Sequence, residues 1–172
     1  MNPQGKVRNL GVTLEELLLW NEESSAYWKA HLDSHPVLLE LPSGTGSGAN
    51  VQAFVAHIWA VELRWAQRCA CLPVLAKEEV PVGPLDAIFA LHTRAIEIYR
   101  GLLADPAVDW EAVVTLNYDW LPPQARESTT RKVTAHALFH SQRHWAQLAM
   151  LLRMAGYPTE FKGDLLFSLA LR

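Results

Sequence analysis

The strongest constraint on the fold is a fourfold recurrence. Apolar residues return at intervals of three and four along four blocks, each followed by a proline, a glycine or an Asp-Pro pair. Side chains so spaced share one face of an α-helix, and that face must be buried against something. The first block opens with the capping-box signature Thr13-Leu-Glu-Glu16 and runs from about Leu14 to Ser34, short of Pro36. Its inner face and margins take Leu17, Leu18, Trp20, Asn21, Ser24, Tyr27, Trp28 and Leu32. The second runs from Asn50 or Val51 to Leu72, with Phe54, Ile58, Val61 and Trp65 on its seam and Pro73 beyond. Pro84 suits a first helical turn, and the third block, Leu85 to Ala104, stops at Asp105-Pro106. Hydroxyls at Ser128 to Thr130 cap the fourth, which continues to about Ala155 before Gly156 and Pro158.

Four amphipathic helices of about 20 residues, each about 30 Å long, predict an all-α four-helix bundle with long inter-helix loops. Residues 37–49 include Pro-Ser-Gly-Thr-Gly-Ser-Gly, flexible by composition. That run lacks the Gly-Lys-Ser/Thr ending of a phosphate loop, and no strand precedes it. Residues 73–83 form a second connection. From Pro106 to Glu127 the periodicity lapses, and Val113 to Tyr118 suggests at most a short hairpin, with Trp110 and Trp120 anchoring the segment. Connections of about ten residues span a bundle at ~3.3 Å per residue, so spacing alone leaves the topology open. Residues 1–12 read as a lead-in arm. Gly163 to Arg172 reads as a short amphipathic closing helix, packed on the bundle or across a dimer interface.

A chain of 172 residues fits a single domain, 1–172. At 50% hydrophobic and 19% charged it is too apolar for disorder. The net charge of −3, with no basic stripe, argues against nucleic-acid binding. No apolar N-terminal core resembles a signal peptide, and no run approaches the ~20 residues of a membrane span, so a soluble cytoplasmic protein is expected. Cys69 and Cys71, one residue apart, point to different sides of a helix and read as buried free thiols rather than a redox pair.

The fourth block carries His136, His140 and His144 at successive four-residue steps. Each step turns an α-helix by only about 40°, so neighbouring imidazoles share a face. The first and last lie about 80° and 12 Å apart, too far for all three to meet one ion. His144 shares its stripe with Val133, Ala137, Leu148 and Leu151, whereas His136 lies with Lys132, Arg143 and Gln147. His140 and His144 are therefore the expected inward pair, with His136 at the boundary. A metal site needs donors from a second element, and His57 in the second block is the useful candidate. It lies about 60° from the centre of its seam, on the flank that also holds Arg64 and Arg68. Three neutral imidazoles plus water match the open coordination of catalytic zinc sites. Arg64 and Arg68 offer an anion grip, and Asn21 could face the site. The competing reading of each residue is structural: hydrogen-bonded core or surface histidines, and arginines whose stems cover apolar neighbours.

Three segments together resemble the DinB/YfiT-like family of metalloenzymes: Val55-Ala-His57-Ile-Trp-Ala-Val-Glu62, His140-Ser-Gln-Arg-His144-Trp-Ala-Gln147-Leu, and Leu-Leu-Arg-Met-Ala-Gly156-Tyr-Pro158. The resemblance covers nearly the whole chain in the order of its elements. It implies an up-down-down-up four-helix bundle, a divalent metal, nickel or zinc, on His57, His140 and His144, and a homodimer. The family often continues its last ligand as His-Arg-Gly-Gln, where this chain has His144-Trp145-Ala146-Gln147. Its assigned activities include thiol-dependent S-transferases, using bacillithiol, mycothiol or glutathione, and a maleylpyruvate isomerase.

Two functional readings follow. In one, the protein is a metal-dependent thiol S-transferase or related hydrolase acting on a small molecule. The metal would hold a low-molecular-weight thiol as thiolate, Arg64 or Arg68 its carboxylates, and His136 would be the nearest base beyond metal-bound hydroxide. In the other, a non-catalytic dimeric bundle, with a structural metal or none, acts through protein contacts made by its apolar, Trp-rich faces.

Overall fold

The computed structural model describes residues 11–119 and 121–170. Among these, four α-helices dominate: α1 (Leu14–Ser34), α2 (Val51–Cys69), α3 (Leu85–Ala104) and α4 (Thr130–Met154). Their starts follow from local chemistry. The Thr13 hydroxyl accepts from the Glu16 amide while the Glu16 carboxylate accepts from the Thr13 amide, closing both halves of the capping box on α1. Asn50 caps α2 by accepting from the Ala53 amide, and Thr129 caps α4 by accepting from the Lys132 amide. Pro84 occupies the cap position of α3 rather than its first turn.

Several connections differ from the sequence expectation. The Gly-rich segment 37–49 is ordered: a 3₁₀ turn, Pro36–Glu40, leads into an antiparallel hairpin of β1 (Pro42–Thr45) and β2 (Gly48–Asn50). The hairpin packs on α2, and Gly48 approaches it so closely that a Cβ would lie 2.6 Å from the Phe54 nitrogen. Helix α2 ends at Cys69, three residues before the expected Leu72. Cys71 adopts φ +54°, and the Leu72 amide turns back to the Gln67 carbonyl at 2.8 Å. Of the two thiols only Cys69 is buried; Cys71 is exposed, because it lies beyond the helix in this turn. Strand β3 (Val113–Thr115) pairs with β4 (Glu127–Thr129), so the strand-like run finds its partner just before α4. The expected closing helix reduces to one 3₁₀ turn, Leu165–Phe167, within the described residues. Trp120 and most of the expected lead-in arm lie outside them.

All four helices contribute to one contiguous apolar core, with α2 against α3 and α4, and α1 against α3 and α4. Trp28, Trp59 and Trp145 are fully buried at its centre, with ring centroids 5.3 Å (Trp28–Trp145) and 4.9 Å (Trp59–Trp145) apart. Among the described residues no helix is long and apolar enough to cross a membrane.

Candidate metal centre

Helices α2 and α4 bring three imidazoles together. His57 and His140 are half-buried and His144 is buried, and one nitrogen from each lies within 4.8 Å of the other two. Ring centroids are 5.9 Å apart for His57–His140, 5.3 Å for His57–His144 and 4.3 Å for His140–His144. The Nε2 atoms of His140 and His144 face each other at 3.0 Å. Zinc–nitrogen bonds of about 2.0–2.1 Å in a tetrahedron place the nitrogens about 3.3 Å apart, so small ring rotations let one cation touch all three.

Protonation states suit the same role. Burial pushes His57 down to about 4, helped by the charges of His144, Arg64 and Arg143. Burial pushes His140 down to about 3, reinforced by His144, Arg143, His57 and His136. His144 is lowered by burial, which its hydrogen bond to Gln147 partly opposes. The three rings are therefore neutral at pH 7, as ligating imidazoles must be. Gln147 Oε1 accepts from His144 Nδ1 at 2.6 Å, fixing the proton there and leaving the Nε2 lone pair aimed at the cluster. The 3.0 Å contact then requires either a proton on His140 Nε2 or a cation between the rings, and His140 Nδ1 is buried without a partner. A donor set of nitrogens alone fits zinc, nickel or copper rather than magnesium or calcium.

The other candidates fall in three places. His136 lies one turn from His140, centroids 5.9 Å apart, outside the triad and edge-on to Trp65. Arg64 borders His57 but spends Nε and Nη2 on the carbonyls of Leu75 (2.9 Å) and Ala76 (3.2 Å), tying down the 73–83 connection. Arg68 lays its guanidinium over the rings of Trp65 and Tyr118, donates to the Arg64 carbonyl, and borders a different cavity. Asn21 is fully buried and donates to Glu62 Oε2 at 2.5 Å.

Glu62 is the residue that sequence reasoning passed over. Its carboxylate is fully buried and accepts one hydrogen bond from each of the other three helices: Asn21 Nδ2 of α1 (2.5 Å), His92 Nδ1 of α3 (2.8 Å) and Ser141 Oγ of α4 (2.6 Å). Gln142 extends the network to Ser24 and Asn21. The available signal was a carboxylate inside an apolar helix, with a buried amide, hydroxyl and imidazole waiting on the others. Ser141 sits next to His140, so the contact that holds α4 to Glu62 also sets the rotation that turns His140 and His144 toward His57.

The triad borders open space. His57 and Arg64 both line two cavities, one of about 450 Å³ toward the 73–83 connection and one of about 350 Å³ toward α4. The donors, their neutrality and this access are what a metal site with an open coordination position needs. No protein-family model matches the chain, and no curated protein does so either.

Proposed function

We propose that the protein binds one divalent ion, zinc or nickel, on His57, His140 and His144, and works as a metal-dependent enzyme. The observation that carries this reading is the convergence of three neutral imidazoles from two helices beside two cavities. A structural zinc site closes its coordination with four protein ligands, whereas the cluster among the described residues has three members. A bound ion of this kind acidifies water or a thiol and polarises a substrate oxygen. The residues around it divide the remaining work. Gln147 holds the ring and tautomer of His144, His136 offers a neutral ring as proton acceptor, and Arg64 supplies positive charge beside His57. The reaction class we propose is transfer involving a low-molecular-weight thiol, or a related hydrolysis, because nitrogen-bound zinc or nickel accepts a thiolate readily.

The resemblance to the DinB/YfiT-like family supports the same ligand set. It also supports an up-down-down-up bundle, in keeping with the packing of α1 and α2 each against both α3 and α4. A homodimer is part of the proposal, supported by the exposed Phe139, Met150 and Met154 on α4.

Elemental analysis of protein purified without a histidine tag tests the reading. About one zinc or nickel per chain is expected in the wild type, and a large loss in His57→Ala. Equal metal content in the two, or none in the wild type, would overturn it.

A further inference from the structure

The cavity between α2 and α4 has a definite chemical character. It is about 350 Å³ in volume, its floor includes His57 and His140, and Arg64 and Arg143 stand on its walls with Trp65, Tyr118 and His136. No Asp or Glu lines it, although the whole chain is net acidic. Among the described residues, no hydrogen bond or ion pair engages Arg143, an exposed residue of α4 between the two ligand positions. Two arginines without a carboxylate make the chamber locally positive and suited to an anion. Across Trp65 and His136 the cavity adjoins a smaller one of about 140 Å³, whose lining is mainly apolar, Leu116, Leu121, Ala125 and Val133, with Ser128 and Lys132 as its polar members. An anionic head and an apolar tail would therefore each find matching surroundings.

We propose that this chamber binds a small organic carboxylate with an aryl or short acyl body. Arg143, aided by Arg64, holds the carboxylate beside the histidine triad, and Trp65 and His136 guide the body toward Leu116 and Leu121. The proposal names the substrate class for the metal site described above and rests on that reading for its catalytic meaning, but the binding itself depends on the arginines. Arg143 is the specificity residue. Its guanidinium is free to form a bidentate pair, whereas Arg64 is already committed to two carbonyls.

Isothermal titration of the full chain, with and without one equivalent of Zn²⁺, tests this with three probes: 3-phenylpropanoate, its neutral amide 3-phenylpropanamide, and propanoate. Saturable one-to-one binding of 3-phenylpropanoate is expected, with the amide and propanoate each weaker by about tenfold or more. Arg143→Gln should weaken 3-phenylpropanoate by about tenfold while leaving zinc stoichiometry and melting temperature unchanged, and Arg143→Lys should fall between. Arg153→Gln, on an exposed residue at the far end of α4, is the control. Zinc uptake with no saturable carboxylate binding, equal affinity for acid and amide, or an unchanged affinity in Arg143→Gln would each overturn the proposal and leave the metal reading standing. Arginine-dependent carboxylate binding by a protein that takes up no zinc would support the chamber and overturn the metal reading instead.

Discussion

Two protons govern how the imidazoles of His140 and His144 meet. Gln147 claims the one on His144 Nδ1, so the facing Nε2 atoms share a single proton in the metal-free protein, in the place a bound cation would take. A second proton is disfavoured on both rings, since burial holds His140 to about 3 and lowers His144 from its ordinary value. The consequence for stability has a definite sign. Above about pH 6.5 these histidines are neutral in both folded and unfolded chains; below it the unfolded chain takes up protons that the folded chain refuses. The stability of metal-free protein is therefore full above about pH 6.5 and falls progressively toward pH 3. Thermal melting at pH 7.5, 6.0 and 5.0 should show a falling midpoint, with a shallower fall in His140→Asn. A midpoint independent of pH across this range would contradict the burial of the triad. At this scale the sequence was informative about His140 and His144, because four-residue spacing and an apolar stripe translate directly into direction on a helix, whereas His57, on the flank of its seam, was legible only as the available donor on a second helix. It was uninformative about Arg143, whose stripe also carries Lys132 and Gln147 and so resembles a solvated face.

Helices α2 and α4 are each two-sided. On α2, His57 looks to the cavities and Glu62 to the core; on α4, His140 and His144 face the triad while Ser141 and Trp145 face inward. The inward side is fastened by the Glu62 carboxylate, which receives a donor from every other helix. Glu62→Ala would leave the buried donors of Asn21, His92 and Ser141 without their acceptor, at a cost of about 3–5 kcal/mol, whereas Glu62→Gln keeps an acceptor oxygen and costs less. Urea unfolding measures both, and a wild-type midpoint in Glu62→Ala would rule out the fastening role. The helices were legible because their caps and stops are local: Thr13 with Glu16, Asn50, Thr129, and the prolines. The β1–β2 hairpin was not, since its Gly-rich sequence carries no strand pattern and its placement depends on packing against α2, where Gly48 fits because it lacks a Cβ. The three-helix convergence on Glu62 was equally hidden, because no local pattern reveals which distant donors a lone carboxylate will meet.

At the scale of the whole molecule, the contacts that join the helices are made by protein groups outside the three imidazoles. One apolar core with three interlocked tryptophans, together with the Glu62 network, joins all four helices away from the triad. Chelation with EDTA should therefore remove the metal and any activity while leaving far-ultraviolet circular dichroism essentially unchanged at 25 °C, with a lower melting midpoint. Collapse of the helical signal on chelation would instead assign the ion a structural role. The two-sidedness of α2 and α4 also bears on how such a protein can change over time. The side chains at 57, 140 and 144 make none of the contacts of the clasp at 62, so a lineage or a designer can change the donor set while those contacts stay in place. An inserted residue between 140 and 141 is the opposite case: it turns Ser141 and His144 through about 100° relative to His140, disrupting site and clasp together.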